Sequence, residues 1–419
     1  MTQKKISVPF TFSSEASIGF PISNTRGNST KGYRYIPYSS DAHKGLGAQN
    51  NYPQVVARLA YDSPTSGSAI QKKKLMTEGR GFNLDLLPAR LTKHLNLINK
   101  YDDTINDVLS HVVMDYVTFS GFALKVIWGN DSQIVQIEHV PFEQVRCGET
   151  NEDDEVYFYV ISNNWDRSLS MQKERTYALP KFNPDAFNEP IEILDGVPMP
   201  TEDQQTNSEQ LIYVFNRKPN ASNGMEYYPI PDYAAGFDAI DTEKQIGISN
   251  KSLIDNGFGG KYIVTFPFEP QTEDEMNQNN IKLQQNFSGA TNNGGVITLY
   301  ASDRDTLPQI DKLDPIEADT YIQILQSAKQ SIITSHLIPA ILMEFNEGGN
   351  GFSNRAEEME AAFNLYQQTV ISGYQDKITR IFKRIFIYMG YADITLEIIK
   401  FNLYASVDAD MGESNVNSN

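Results

Sequence analysis

Between residues 354 and 390 an apolar side chain returns every three or four positions: Met359, Phe363, Tyr366, Val370, Tyr374, Ile378, Ile381 and Ile385. No proline interrupts the run, and Gly390 closes it. The spacing is that of one face of an α-helix, which at 1.5 Å per residue would reach roughly 54 Å. A helix of that length cannot cover its own stripe, so other elements must pack along it. Asn354, with Glu357 three residues on, predicts a capping box at its start.

Upstream, residues 316–337 predict a helix with Tyr321, Leu325, Ala328 and Ile332 on one stripe. Pro339 is expected to end it, since proline lacks an N–H and its ring clashes with the preceding turn. Glu347-Gly348-Gly349-Asn350-Gly351 then opposes regular structure. Residues 338–353 therefore read as a mobile loop held between two anchored helices. Its side chains Glu344, Asn346, Glu347 and Asn350 bring no positive charge, so contact with a polyanion there would be sliding and not tight.

A further helix opens at Pro231-Asp232 and is expected to end near Asn256-Gly257, with Gly236 and Gly247 allowing another helix to approach. Between these two helices lies a small unit: a strand over 261–268, a polar helix over 273–287, a turn at 292–295 and a strand over 296–300. The polar helix has too few apolar positions to make a core alone. Its polar side chains, among them Glu273, Asp274, Asn277, Lys282 and Asn286, are read as partner-facing.

The first half is mixed. Residues 1–50, rich in Ser, Asn, Gly and Thr, read as an extended arm. A helix is predicted over 52–76, with Lys72-Lys73-Lys74 at its solvated end, and another over 91–118, with Ile105, Leu109, Val112, Val113 and Tyr116 on one face. A hairpin follows, 122–128 and 134–137 around Gly129-Asn130-Asp131. Strands are expected at 156–161 and 211–215. The stretch between them, carrying Pro180, Pro184, Pro190, Pro198 and Pro200, reads as a loop-rich insertion. Residues 394–404 alternate like a closing strand, and the last fifteen are expected to lack regular structure.

Several chemistries have no residues to carry them. There is no Gly-x-x-x-x-Gly-Lys-Ser/Thr loop for a nucleotide and no Gly-x-Ser-x-Gly elbow. The five histidines, His43, His94, His111, His139 and His336, form no zinc pattern, and His336 is expected at a helix C-terminus where a positive charge suits the dipole. The acidic run from Asn151 to Glu155 lacks the glycine and closing glutamate of a calcium loop and reads as solvated. Cys147 is the one cysteine, read as ordinary and half-buried, and it excludes an internal disulfide, as suits a reducing cytoplasm. Carboxylates are plentiful, but no pair stands out for hydrolysis. No apolar run reaches the length of a membrane span, and no apolar signal core follows Lys4 and Lys5. The net charge of −18 argues against a broad phosphate-gripping surface; it leaves open simple solubility or a wall that repels passing DNA.

The order helix, small strand–helix–strand unit, helix, Pro-broken Gly loop, long helix resembles the stem, clip, second stem, tunnel loop and long helix of the portal proteins of tailed double-stranded DNA bacteriophages. Asn256-Gly257 with Gly260 and Lys261-Tyr262-Ile263-Val264 resembles the passage from first stem helix to clip. The polar run from Phe287 to Gly295 resembles the turn before the second clip strand, and Pro339, Leu342 and the glycines up to Ser353-Asn354 resemble the tunnel loop. Pro141 with Val145-Arg146 is similar to a feature of the wing.

The resemblance implies an α+β fold: an arm (1–50), an α/β wing (51–230), a first stem helix (231–257), an α/β clip (258–311), a second stem helix (312–337), a tunnel loop (338–353), a long helix (354–390), and a closing wing strand with tail (391–419). About thirty residues follow the long helix, so a helical crown is small or missing. It also implies a homo-oligomeric ring, usually of twelve, at one vertex of the capsid in the virion and assembled in the host cytoplasm. Such a ring meets the major capsid protein, the terminase that hydrolyses the ATP, the head–tail adaptor, and double-stranded DNA by passage without sequence reading. No enzyme activity, cofactor, metal or membrane is implied. The alternative is another ring-forming virion protein, a neck or baseplate component.

Overall fold

The computed structural model describes residues 28–30, 33–38, 50–151, 154–165, 173–186, 191–194, 197–200, 208–217, 227–255, 262–266, 272–275, 277–278, 281, 288–289, 292–293, 296–300, 318–343 and 352–401. These divide into two compact units: Met1–Asp238 with Ile332–Asn419, and Ala239–Ser331. The second is thus an insertion in the first, and the fold is a mixed one of helices and small sheets.

The first unit opens with a hairpin of β1 (Asn28–Thr30) and β2 (Tyr33–Tyr35). The helix expected over 52–76 is two helices, α1 (Tyr52–Asp62) and α2 (Pro64–Glu78). Ser63 breaks the run in an extended conformation, and its hydroxyl caps α2 by accepting from the Ser66 N–H at 3.0 Å. The lysines are not a solvated end. Lys74 pairs with Glu78 one turn on, but Lys73 is buried among Ala69, Ile70 and Met76, its neighbours at helical spacing.

The helix expected over 91–118 is likewise two, α3 (Ala89–Leu95) and α4 (Ile105–Phe119). Asn99 folds the intervening turn by accepting from the Tyr101 and Asp103 N–H groups, and Asp102 takes a left-handed φ of 62°. Thr104 and Asp107 form a reciprocal capping box at the start of α4. Ile105, Val108, Leu109, Val112 and Val113 are wholly buried, each contributing about 1.5–3 kcal/mol of burial.

The predicted hairpin is present and longer: β3 (Gly121–Trp128) and β4 (Ile134–Val140), antiparallel. A second antiparallel sheet joins β5 (Val145–Cys147), β6 (Phe158–Ser162) and β7 (Thr176–Pro180). The proline-rich stretch read as loops therefore holds strand β7 and a further hairpin, β8 (Ile191–Leu194) with β9 (Val197–Pro200). Proline tolerates both positions, since β7 ends on Pro180 and β8–β9 is a two-stranded ribbon among the described residues. β10 (Glu209–Phe215) pairs with the other edge of β3, giving the order β10-β3-β4.

Pro231 and Asp232 precede a 3₁₀ turn, Ala234–Gly236, and α5 (Phe237–Asp255) begins only after it. Most of α5 belongs to the second unit. There β11 (Tyr262–Phe266) pairs in parallel with β14 (Val296–Tyr300), while β12 (Ser288–Gly289) and β13 (Asn292–Asn293) form a small antiparallel pair between them. A parallel pair requires a crossover, and residues 273–275, 277–278 and 281 are helical, as expected. The chain leaves this unit through α6 (Ala318–Ser335).

Pro339 does not end α6. The helix stops at Ser335, where Leu337 turns left-handed at φ 57° and the Ile338 N–H reaches back to the Ile333 carbonyl. Pro339 instead starts a one-turn helix, α7 (Ala340–Met343), inside the segment expected to be loop. Asn354 is no cap either, for α8 (Phe352–Tyr366) starts two residues before it.

The long helix is present but not uniform: α8 passes through a π-helical turn, Gln367–Ile371, into α9 (Ser372–Tyr388), about 55 Å in all. The extra residue of the π turn shifts the stripe, so that Ile371 and Phe382 are fully buried, with Val370 and Ile381 only partly so. Gly390, at φ 90°, closes it as expected. Residues 394–400 alternate as predicted, with Ile394, Leu396 and Ile398 buried, and hydrogen-bond to 80–83 without forming a regular strand. The left-handed Gly79 allows this approach, since a Cβ there would collide with the Ile399 carbonyl.

Candidate functional site

The insertion leaves and rejoins the first unit at one place. On the leaving side, the Asp232 N–H donates to Ser120 Oγ at 3.0 Å and the Tyr233 hydroxyl to the Thr118 carbonyl at 3.0 Å. On the returning side stand Ser335, His336, Leu337 and Ile338. The two touch at Gly236, where any Cβ would run into the Ser335 side chain. Tyr233 stacks on the His336 ring, 4.3 Å between centroids.

Both sides rest on α2 and the long helix. Ala69 and Met76 of α2 form one core cluster with Ile338, Leu342, Phe363, Tyr366 and Ile371. The Lys72 ammonium donates to the Leu342 carbonyl. At the π turn, Gln367 donates to Gln375 at 3.2 Å, and Gln375 donates to the Thr77 carbonyl at the end of α2 at 3.0 Å. At this π turn one buried amide donates to a second, which in turn donates to a helix end, while the Gln367 side-chain carbonyl oxygen is left without a hydrogen-bond partner among the described residues.

Two basic side chains sit inside this junction. Lys73 is 1% exposed, with its ammonium 4.5 Å above the Tyr374 ring. Burial lowers its pKa to about 8, partly countered by the Asp232 carboxylate. Asp232 is itself engaged by the Tyr374 hydroxyl, whose own pKa burial and Asp232 push well up. His336 is fully buried, its Nε2 3.3 Å from Ser66 Oγ, and burial followed by Lys73 lowers its pKa to about 3. The imidazole is therefore neutral, and the expected charge–dipole role at the end of α6 is absent.

Ser66, His336 and Lys73 do not make a nucleophilic site. Among the described residues His336 Nδ1 meets no orienting carboxylate, the Asp232 carboxylate is taken by Tyr374, and neither Ser66 nor His336 is exposed. Cys147 is fully buried and not half-buried, its thiol pKa raised by burial, and it donates to the Tyr227 carbonyl at 3.4 Å. His139 bonds Asp115 at 2.7 Å with His111 beside it, but no group of three metal-ligating side chains forms among the described residues. Arg146 lies wholly buried between Tyr38 and Trp165 and donates to Asn50, Glu143, Val145 and Gln54, fastening the residues before α1 to the β5–β6 sheet. No helix among the described residues is long and apolar enough to cross a membrane.

Of the residues singled out in the sequence, Glu273, Asp274 and Asn277 are exposed on helical turns of the inserted unit. Lys282 and Asn286 lie outside the described residues, as do Glu344, Asn346, Glu347, Gly348, Gly349, Asn350 and Gly351. The flanks of that last segment are described: α7 ends at Met343 and α8 begins at Phe352. The junction itself was missed. Its one signal was Lys73 falling on the buried face of α2, at helical spacing from Ala69, Ile70 and Met76.

No family model matches this chain, and no curated protein does. Solved structures do. A chain of the virion of a native gene transfer agent particle is 11% identical at a TM-score of 0.48, covering 82% of this chain and 83% of its own. One from the neck of the empty particle, computed with C6 symmetry, is 9% identical at 0.49, and one from the neck of the native particle, computed with C12 symmetry, is 11% identical at 0.47, with the same coverage. Likeness at TM-scores under 0.5 leaves the functional reading to the residues and the fold.

Proposed function

We propose that this chain is a portal subunit: one of a ring, of about twelve copies, that forms the channel for DNA at one capsid vertex of a tailed phage. The observation that carries this reading is the insertion 239–331, which departs through α5, holds a small parallel strand–helix–strand unit, and returns through α6 to the start of a long helix. An isolated two-stranded sheet is marginal alone, and the outer edges of β11 and β14 are unpaired among the described residues. Such a unit is fit to be completed by a neighbouring copy. The acidic chain, without a nucleotide loop, suits a passive conduit whose ATP is spent by a docked terminase.

In this reading Glu273, Asp274, Asn277, Lys282 and Asn286 face the terminase and later the adaptor, the wing meets the major capsid protein, and residues 338–353 narrow the channel. Negative-stain electron microscopy of the purified protein tests it: rings with a central hole are expected. A particle that stays monomeric at every salt and protein concentration would remove it. Rings without the inserted unit at one end would favour a neck or baseplate component instead.

A further inference from the structure

Four basic residues lie on α9 within two turns: Lys377, Arg380, Lys383 and Arg384. At 3.6 residues per turn, Lys377, Arg380 and Arg384 fall within about 60° of one another. Arg380, Lys383 and Arg384 are exposed and Lys377 half-buried. Asp376 is the one acidic residue of the helix.

Other elements extend the stripe. Lys377 donates to the Phe215 carbonyl at 3.1 Å and to Asn216 Oδ1 at 2.6 Å, so the end of β10 is tied beside it, and the next residue is the exposed Arg217. The Arg384 guanidinium lies 5.1 Å from the centre of the Phe182 ring, next in sequence to the exposed Lys181. Among the described residues none of these six forms an ion pair with a carboxylate. Asp232 lies close enough to Lys377 to act on it electrostatically, but it is bonded to Tyr374.

Two plain accounts of such a stripe fail. Basic residues near a helix C-terminus favour the dipole only within the last turn, and the last turn of α9 contains none. Pairing along the helix would need carboxylates three or four residues away, and Asp376 alone serves at one end. A basic stripe from three elements that has no carboxylate partner among the described residues, on a chain of net charge −18, is suited to something outside the chain.

We infer that the outer face of α9 is a docking surface for the phosphate backbone of double-stranded DNA. From Lys377 to Arg384 the helix rises about 10 Å. Along one strand of a duplex, phosphates succeed one another every 3.4 Å or so of axis, so about three face that length without a break. A protein surface intersperses its carboxylates with other groups; a DNA strand offers a continuous line, which is what an uninterrupted stripe matches. Two of the four helix residues are arginines, whose planar fork takes a phosphate in two hydrogen bonds, and Phe182 holds one of them in place. The inference goes beyond the conduit reading, which requires passage of DNA and no affinity for it.

The test titrates the full chain against a short fluorescent DNA duplex by anisotropy across a salt series. A plot of log affinity against log salt with a slope of about −3 is expected, and about two units shallower in Arg380→Gln/Arg384→Gln. Absence of duplex binding by the native chain, or an unchanged slope in the variant, overturns the inference. So does polyglutamate competing better than unlabelled duplex, which would assign the stripe to an acidic protein. Ring formation by the same variant is read in parallel. Loss of rings with an unchanged melting temperature would make the stripe an interface between copies and also overturn it. Duplex binding by a chain that forms no rings removes the conduit reading and leaves this one standing; rings without binding do the reverse.

Discussion

A lysine held over an aromatic ring inside a protein gives up its hydration for a weaker electrostatic contact, and the balance is visible in how stability depends on pH. Lys73 has a folded pKa of about 8 against an ordinary 10.5. Between these values the unfolded chain binds a proton that the folded chain has released, so stability rises with pH through that window. Below about pH 8 the full cost is present, on the order of 3 kcal/mol. Lys73→Met is therefore expected to raise the melting temperature at pH 7 and to flatten its rise between pH 8 and 10.5; a variant that melts lower at pH 7 would show the ammonium to be favourable where it is. His336 acts in the acid range. With a folded pKa of about 3 against 6.5, the neutral imidazole contributes stability above pH 6.5 that is lost as pH falls toward 3. His336→Phe should lessen that acid loss in a melting series from pH 7 to 4.

At the scale of elements, the two glycines of the first inserted helix and its lead-in separate contact from flexibility. Gly236 leaves no room for a methyl group beside Ser335, whereas nothing lies within 4 Å of a Cβ at Gly247. Gly236→Ala should cost about 1–3 kcal/mol through overpacking, while Gly247→Ala should gain up to about 1 kcal/mol of helix propensity. Equal effects in urea unfolding would refute the assigned contact. If the chain is a portal subunit as proposed, deleting residues 258–311 is expected to leave the first unit's melting transition in place and to abolish terminase docking. DNA packaging by the deleted form would show the inserted unit to be dispensable.

Much of this level could be read from spacing. The hairpin at Gly129, the strands at 262 and 296, and the long apolar stripe all follow from local periodicity, which a backbone obeys before any tertiary contact forms. The failures are equally local in cause. Ser63 and Asn99 interrupt helices by bonding their own backbone, a competition that apolar spacing does not register. At the π turn Gln367 donates to Gln375, and Gln375 reaches across to α2, hundreds of residues away in the chain, and no window on one helix contains that partner. The candidate site was least legible because burial of Lys73 and His336 is a property of three converging segments.

At the scale of the whole molecule, the proposed ring would have to form against its own charge. Twelve chains of −18 would carry about −216, spread over one ring. Repulsion of that size acts at long range and is screened beyond about 10 Å at 0.1 M salt, whereas apolar burial between neighbours acts only at contact. Moderate salt should therefore favour rings, in sedimentation or microscopy, and low salt should dissociate them; the opposite trend would mean that copies are joined by ion pairs.

Because Gly236 and Ser335 touch, the chain closes on itself at the point where the segment between them leaves and returns. Such an arrangement lets the two parts descend at different rates. The inserted segment can be remodelled, or replaced by one of other length, to follow a changing partner, while the junction of α2, Tyr233 and His336 stays under its own selection for packing. Lineages of this protein should differ most within 239–331 and least at the seam that borders it.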